Sequence, residues 1–323
     1  MDERASGCGA AFGLAIEADF PIPGLRGSGA DAALPSAALK LGDEAELQRA
    51  WRVAESAATR LSEERVRAGA PGRTIDAHPE IGYRLFARYF GSCLVSPEGS
   101  RLLCVPPPVR SWRWQRFLVG RCLPLAAMLR GYEVFHAGAV EVDGGVMAIV
   151  GPSGTGKTSL ALHLVLRGAG FFTDDVLALD ARGDGLLAYP GFGVINVRAT
   201  EHERLDPHQR AAIGPLLGQT GRDKRHYAIA PVTGPRALRA LYFLAPGDGR
   251  PLATIAPLEA PQPRRLLTSA FIHEVRTPDH LAGLLDVCSR LSATVPMFEV
   301  RLGEGEDAAG LARRLREHVE VVA

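Results

Sequence analysis

No apolar run in this sequence approaches the roughly 20 residues that a membrane-spanning helix needs, so a membrane protein is not expected. An excess of one charge is lacking too. Lys and Arg total 37 against 36 Asp and Glu, for a formal net charge of +1, whereas nucleic-acid-binding proteins usually carry a basic excess. We therefore expect neither a membrane nor a nucleic acid as a partner.

Cysteine is scarce, and its spacing does not suit a metal site. The five cysteines are odd in number and none forms a C-x-x-C pair, so a zinc site is not expected and reduced thiols are favoured. They are Cys8, Cys93, Cys104, Cys122 and Cys288. The charged start MDER is followed by no apolar stretch, which predicts no secretory signal and a cytoplasmic protein.

The most informative segment is residues 151–158, GPSGTGKT, which fits the phosphate-binding pattern G-x-x-x-x-G-K-[ST]. Glycines let the backbone wrap a polyphosphate closely, so that successive N–H groups point at its oxygens. The lysine adds positive charge near the β- and γ-phosphates, and the hydroxyl after it can ligate Mg²⁺. The residues predicted to bind nucleotide are Gly151, Pro152, Ser153, Gly154, Thr155, Gly156, Lys157, Thr158 and Ser159.

The neighbours of this loop strengthen the prediction. Residues 146–150, VMAIV, are typical of a buried strand, and residues 158–167 predict a helix that Gly168 closes. Strand, glycine loop and helix together place an anion at a helix N-terminus, where free N–H groups and the helix dipole favour it. The alternative is a purely structural turn between strand and helix.

Two adjacent carboxylates, Asp174 and Asp175, follow the apolar residues Phe171 and Phe172. Within a strand, one of the two would point into apolar surroundings, a cost that Mg²⁺ and a substrate hydroxyl would offset. One carboxylate could then hold the metal while the other accepts a proton. The alternative is a strand that begins at Val176, with both carboxylates in the preceding turn.

Elsewhere the sequence predicts a strand at 11–18, a helix at 44–68, a hairpin joining 92–95 to 101–105, and a helix at 112–130 that Pro124 kinks or divides. With 323 residues and a globular composition, one large or two ordinary domains are expected. We place the boundary near Gly131. This gives an N-terminal α+β domain at 1–130 and an α/β nucleotide-binding domain at 131–323.

A basic cluster at 224–227, KRHY, lies in a polar region. One of its cations could neutralise charge on a transferring phosphoryl group, and Arg225 is the preferred catalytic candidate. The alternative is a solvated loop with ordinary surface charge.

Three motifs in order and in register resemble the catalytic domain of the bacterial HPr kinase/phosphorylase family: His136-Ala137-Gly138, the glycine loop, and the Asp174-Asp175 pair. The match covers roughly residues 130–200. Residues 19–25 and 129–136 resemble, less diagnostically, a related branch that includes kinases of lasso-peptide precursors. The resemblance implies a P-loop-containing, HPr-kinase/PEP-carboxykinase-like α/β catalytic domain preceded by a smaller α+β domain. The family's hexamers make a homo-oligomer plausible.

The resemblance also implies roles. Lys157 would bind the nucleotide phosphates, Thr158 would ligate Mg²⁺, and Asp175 would be the general base that takes a serine proton. Asp174 would support the metal or the base. His136, a further catalytic candidate, would lie against the phosphates or Asp175.

Two departures from the family matter. The family's later metal-binding Glu falls near Asn196, which brings a carbonyl oxygen but no charge and is the predicted metal ligand; Glu201 and Glu203 are alternatives. Arg198 matches an Arg of the same stretch. The motif tied to reverse phosphorolysis is not located, so forward phosphorylation alone is predicted.

These observations favour an ATP- and Mg²⁺-dependent kinase that acts on a serine hydroxyl of a peptide or small protein. Two other hypotheses are a kinase of a small-molecule hydroxyl and a nucleotide-binding regulatory module without turnover. Residues 1–130 carry no motif tied to chemistry, and their strand-rich part could either pair with a peptide or cover the catalytic sheet.

Overall fold

The computed structural model describes residues 7–25, 27, 33–52, 56–66, 69–108, 112–183, 185–220, 223–247, 249–259, 262–272 and 274–322. The chain divides into two compact units. The first comprises Met1–Tyr132 with Ile272–His280, and the second Glu133–Phe271 with Leu281–Ala323. The domain boundary predicted after residue 130 stays a prediction. Within the described ranges, no helix combines the length and apolar character needed to cross a bilayer.

The first unit is built on an eight-stranded sheet. Its elements are β1 (Gly7–Ala11), β2 (Leu14–Ala18), β3 (Ser36–Leu41), α1 (Glu44–Arg52), β4 (Thr59–Arg65), β5 (Pro71–His78), β6 (Gly82–Ala87), β7 (Gly91–Val95), β8 (Arg101–Val105), α2 (Trp112–Phe117), a π-helical turn (Leu118–Cys122) and α3 (Leu123–Leu129). The strand order is β1-β2-β3-β8-β7-β6-β5-β4. Strand β3 runs parallel to both neighbours, and the other pairs are antiparallel.

Two predictions for this unit are wrong in extent. The strand predicted at 11–18 is a hairpin whose turn places Phe12 and Gly13 at positive φ. The helix predicted at 44–68 ends at Arg52, and residues 59–65 form β4 instead. There Arg60 lies opposite the buried Asp76 of β5 and forms an ion pair with it, so cross-strand pairing overrides the helical spacing.

The hairpin of β7 and β8 is confirmed, with Cys93 directly opposite Cys104. The helical segment predicted at 112–130 is confirmed as well, and it is divided as expected. The π-helical turn ends one residue before α3, which carries Pro124 in its first turn. Trp114 of α2 is buried and contacts the ring of Phe20, which supports a core role for this aromatic residue.

The second unit continues the chain. Its elements are β9 (Glu133–Phe135), β10 (Ala137–Val142), β11 (Gly145–Val150), α4 (Lys157–Val165), β12 (Gly170–Thr173), β13 (Leu177–Asp180), β14 (Leu187–Tyr189), β15 (Val194–Arg198), α5 (Ala199–Arg204), α6 (Pro207–Ile213), β16 (Leu216–Thr220), β17 (Lys224–Ala228), β18 (Arg236–Ala245), β19 (Thr254–Pro257), α7 (Pro263–Leu267), α8 (Pro278–Thr294), β20 (Met297–Arg301) and α9 (Ala308–Val322).

A nine-stranded mixed sheet forms the centre of this unit, in the order β12-β10-β11-β18-β14-β13-β9, with β20 between β18 and β19. Strand β11 is parallel to β18 and is buried along its whole length. Its side chains alternate between two cores. Val146 and Ala148 pack in the core that includes α8, whereas Met147 and Ile149 pack in the core that includes α4 and α9. The α/β class predicted from the sequence is confirmed in this coarse form.

A separate three-stranded antiparallel sheet has the order β15-β17-β16. One of its faces carries Ile195, Val197 and Tyr227, which pack with Leu162 of α4 in a third core. The basic cluster at 224–227, for which a solvated loop was one of the two alternatives, is part of strand β17. Pairing along β15 gives this polar segment its strand conformation.

Gly82 offers a test of the first unit. Its φ is +105°, and a Cβ there would lie 2.0 Å from the Val95 carbonyl oxygen. We expect Gly82→Ala to cost at least about 2 kcal/mol of unfolding free energy, because strain and a backbone clash add. Denaturant unfolding followed by tryptophan fluorescence reports on this unit, which holds all three tryptophans.

Gly120 provides the matched control, since a Cβ there meets no atom within 4 Å. Gly120→Ala lies in a helical segment and should be neutral or stabilising by up to about 1 kcal/mol. Equal midpoints for the two variants would contradict the clash at Gly82.

Candidate active site

The glycine loop joins β11 to α4, as the sequence predicts. Gly154 and Gly156 have φ values of +90° and +93°, a backbone conformation that residues other than glycine rarely adopt. A Cβ on Gly151 would lie 3.1 Å from both the Leu244 carbonyl oxygen and Thr155 Oγ1. Thr155 Oγ1 also donates to the Pro152 carbonyl at 2.8 Å. The loop is thus a tight turn ahead of a helix, the geometry that suits an anion.

Lys157, the first residue of α4, lies back across this loop. Its Nζ donates to the carbonyls of Gly151 at 2.8 Å and Pro152 at 3.2 Å, and the residue is only 6% exposed. Burial lowers the pKa of Lys157, while the charges of Asp174 and Asp175 raise it in part. The ammonium therefore lies inside the loop, with the acid pair close enough to act on it.

The acid pair occupies a bend between β12 and β13. Asp175 has a φ of +70°, an uncommon conformation for a residue with a side chain and one that often marks functional positions. His136, at the end of β9, lies within 2.9 Å of the Asp175 carbonyl oxygen through Nδ1. A carbonyl only accepts hydrogen bonds, so this nitrogen carries the proton and His136 holds the bend. The structure therefore places both carboxylates in the turn between β12 and β13 and not within a strand.

Asp174 connects the bend to the glycine loop. Its Oδ1 accepts a hydrogen bond of 2.8 Å from Thr158 Oγ1 on α4. Its Oδ2 accepts from the backbone N–H of Asn196 at 2.9 Å and from Asn196 Nδ2 at 2.6 Å. Asn196 Nδ2 also lies 3.2 Å from Asp175 Oδ2. Asn196 thus faces both carboxylates as a donor, and its assignment as a metal ligand stays a prediction.

Asn196 in turn contacts His226 and, through it, Thr220, two polar residues to which the sequence assigned no role. His226 Nδ1 is 2.6 Å from Asn196 Oδ1, and His226 Nε2 is 2.8 Å from Thr220 Oγ1. Asn196 and His226 are each 1% exposed. No periodic signal marks this histidine, because the adjacent Tyr227 is buried as well, on the opposite face of the sheet.

Two cations share the face of Asn196 and His226. Side chains alternate along a strand, so Arg198 and its cross-strand partner Lys224, each two residues away, lie on this face. Arg198 Nη2 is 3.3 Å from the position that a Cβ on Gly154 would take, and Lys224 is close enough to lower the pKa of Lys157. Arg225 pairs with Val197 on the opposite face, so its catalytic role stays a prediction.

The remaining candidates lie around α4 and α5. Glu201 is held by His163 Nε2 at 2.7 Å, and this hydrogen bond, with a further one from Ser159, lowers the pKa of Glu201. Glu201 is therefore tied to the helix that follows the loop. Glu203 is exposed on α5. Ser153, predicted to contact nucleotide, is exposed on the loop.

The residues at this site suit a hydrated divalent cation. Mg²⁺ in phosphate-binding loops is held by the loop hydroxyl and by a carboxylate on a nearby strand end. Thr158 and Asp174 supply this pair of metal ligands. The 2.8 Å hydrogen bond between Thr158 Oγ1 and Asp174 Oδ1 brings the two oxygens close enough to bind one cation. The hydroxyl and the carboxylate are hard oxygen donors of the kind that Mg²⁺ prefers.

Comparisons with known proteins find similarity to HPr kinase/phosphorylases over part of the chain. No family model matches the chain. The HPr kinase/phosphorylase of Pelodictyon phaeoclathratiforme is 33% identical over 81 residues, which cover 21% of this chain and 24% of that protein. The HPr kinase/phosphorylase of Chloroherpeton thalassium is 32% identical over 91 residues, which cover 24% of this chain and 27% of that protein.

The chain therefore spans about a quarter of the length of the curated relatives it matches, and about a fifth of it is homologous to HPr kinase/phosphorylases. Among solved structures, the Hpr(Ser) kinase/phosphatase from Coxiella burnetii is similar with a TM-score of 0.32 and 15% identity. That similarity covers 58% of this chain and 89% of the other.

The buried Lys157 predicts a pH dependence of stability. Its folded-state pKa lies below the ordinary value of 10.5. Between that lowered pKa and 10.5, the unfolded chain binds more protons, so this residue makes the unfolding free energy rise with pH. Relative to Lys157→Met, the wild-type chain should therefore gain stability as the pH approaches 10.5, measured by urea unfolding followed by circular dichroism.

Lys40 is the matched control, because its hydrogen bond to Glu46 raises its pKa. Stability from a raised pKa is lost as the pH rises through the folded value, so any change relative to Lys40→Met should run the other way. A wild-type minus Lys157→Met difference that stays flat up to pH 10.5 would contradict the buried ammonium.

Proposed function

We propose that the chain is an ATP- and Mg²⁺-dependent kinase that transfers the γ-phosphoryl group to a serine hydroxyl of a peptide or small protein. One observation carries the proposal. The bend with Asp174 and Asp175 is joined to the glycine loop through the 2.8 Å Thr158–Asp174 hydrogen bond. A phosphate-binding loop and a candidate base are thereby brought together, as phosphoryl transfer requires.

In this mechanism the loop N–H groups and Lys157 bind the β- and γ-phosphates. The Asp175 carboxylate accepts the serine hydroxyl proton, and the serine oxygen forms a bond to the γ-phosphorus. The bond between that phosphorus and the β–γ bridging oxygen breaks, and ADP leaves with the electron pair. His136 acts through Asp175, because its hydrogen bond to the backbone carbonyl fixes the bend that aims the base.

Thr158 and Asp174 would hold Mg²⁺, which when bound would neutralise part of the charge on the nucleotide phosphates. Lys224 and Arg198 add positive charge on the face of the three-stranded sheet that carries Asn196. We assign to them the neutralising role that the sequence suggested for Arg225, since register places Arg225 on the other face.

The acceptor proposed is a serine on a peptide, with a lasso-peptide precursor favoured by the resemblance of residues 19–25 and 129–136. The similarity to proteins named HPr kinase/phosphorylase supports phosphoryl transfer as the reaction. Mass spectrometry of peptides encoded beside the gene, after incubation with the chain and ATP, addresses the acceptor directly. A small-molecule acceptor and a regulatory module without turnover are the competing outcomes.

The general base is tested by Asp175→Asn. Asparagine tolerates the left-handed backbone of this position, so the fold should survive. Phosphate transfer from labelled ATP to the acceptor should fall about 10²- to 10⁴-fold, while nucleotide affinity changes little. Asp180→Asn is the matched control, because Asp180 ends β13 and pairs with Arg182. Full transfer by Asp175→Asn would overturn this base, and nucleotide binding without any acceptor turnover would favour the regulatory module.

The two neighbouring cations are distinguished by Lys224→Met and Arg225→Met. If Lys224 faces the phosphates, its variant should lose on the order of 10²-fold in kcat/KM, and Arg225→Met should lose clearly less. Steady-state kinetics with the same acceptor measures both. The reverse order of losses would return the catalytic role to Arg225.

A further inference from the structure

We propose that His226 is a positioning residue that fixes the amide of Asn196, so that Asn196 serves as a hydrogen-bond donor to both carboxylates of the acid pair. This inference rests on the proposed kinase function, since it concerns the same acid pair. His226 contacts the side chain of Asn196, and Asn196 in turn donates to both carboxylates.

The direction of each hydrogen bond follows from the donors and acceptors available. Asp174 and Asp175 offer acceptor oxygens to Asn196, whose Nδ2 lies 2.6 Å and 3.2 Å from them. The amide nitrogen must therefore face the carboxylates, which turns Oδ1 toward His226. An amide oxygen accepts, so the His226 Nδ1 at 2.6 Å carries a proton and donates it.

The opposite amide orientation is excluded at the carboxylate end. A flipped Asn196 would place its oxygen against the two carboxylates, which would lose a donor and meet a repulsive contact. In the observed orientation Oδ1 is nearly fully buried and needs a donor of its own. His226 Nδ1 supplies that donor and so holds the amide in place.

The fold holds the histidine ring in the matching orientation. Asn196 and His226 lie directly opposite each other on β15 and β17, which places both side chains on one face. On the next strand, β16, Thr220 Oγ1 binds the other ring nitrogen, Nε2, at 2.8 Å. Three adjacent strands therefore supply Thr220, His226 and Asn196 to one line of hydrogen bonds that ends at the acid pair.

The consequence for the site is a fixed pair of carboxylates. Asp174 accepts from the Asn196 side chain, the Asn196 backbone and Thr158, so its position is set on three sides. A donor placed between the two carboxylates also offsets part of their mutual repulsion. Losing the fixed amide should therefore disturb metal binding at Asp174 and proton transfer at Asp175 together.

The test compares His226→Leu with His226→Asn in the full chain. Leucine removes the donor, whereas asparagine can place an amide nitrogen at the Nδ1 position. The probe is Mn²⁺ binding to the complex with a non-hydrolysable ATP analogue, measured by electron paramagnetic resonance. We expect His226→Leu to weaken Mn²⁺ binding roughly tenfold or more and to lower kcat, and His226→Asn to restore much of both.

Two controls separate positioning from a general structural role. His208→Gln, an exposed histidine on α6, should match the wild-type chain. In a double-mutant cycle, adding His226→Leu to Asn196→Leu should cause little further loss, because the positioning role of the histidine is exerted through that amide. Additive losses, or equal behaviour of His226→Leu and His226→Asn, would overturn the proposal.

A third measurement does not depend on His226→Leu being stably folded. Nitrogen-15 spectra of the histidine rings, with the His226 signals assigned by their loss in His226→Asn, should show a protonated Nδ1. A deprotonated Nδ1 would overturn the positioning role. If metal binding responds as expected while no acceptor is ever phosphorylated, the kinase proposal fails and the positioning role stands.

Discussion

The hydrogen bond from Thr158 Oγ1 to Asp174 Oδ1 connects two segments that would otherwise be independent: the start of α4 and the bend between β12 and β13. Without it, the glycine loop would be an anion site with no acid beside it. With it, the glycine loop, a candidate pair of metal ligands and a candidate base occupy one edge of the nine-stranded sheet. A polar contact between buried elements has this effect because each unsatisfied partner would cost free energy in the low-dielectric interior.

The fold supports this contact from two sides. The nine-stranded sheet sets β11 and β12 on either side of β10, so the loop and the bend follow strands that are separated only by β10. The three-stranded sheet then supplies Asn196, His226 and the two cations on its polar face, while its apolar face packs on α4. Helix α4 thus contacts the site through its first turn and the core through its flank. An anion bound at the loop would be held by a helix that the core fixes in place.

Local chemistry made part of this site predictable from the sequence. The strand, glycine loop and helix at 146–168 follow from apolar runs and glycines close together in the chain, and the structure has them within a few residues. The helix expected at 44–68 was wrong at 59–65, because pairing of β4 with β5 decides that segment and no local pattern reports it. The contact of Asn196 with His226 joins residues 30 apart, and the strand at 224–228 was not predicted. Contacts of this range depend on register, which a single sequence does not state.

The departure at Asn196 can now be given a physical meaning. At the position where the resemblance places a glutamate, this chain has a neutral amide, whose nitrogen faces both carboxylates and whose buried oxygen needs a donor of its own. His226 occupies that oxygen, and Thr220 orients the histidine. The amide in place of a carboxylate at Asn196 is therefore coupled to a hydrogen-bond donor, His226, on a different strand. A third carboxylate at this position would add repulsion to Asp174 and Asp175 and would call for a cation, whereas the amide offers them two N–H groups. The proposed site thereby combines a cation at Thr158 and Asp174 with protein hydrogen bonds at Asn196.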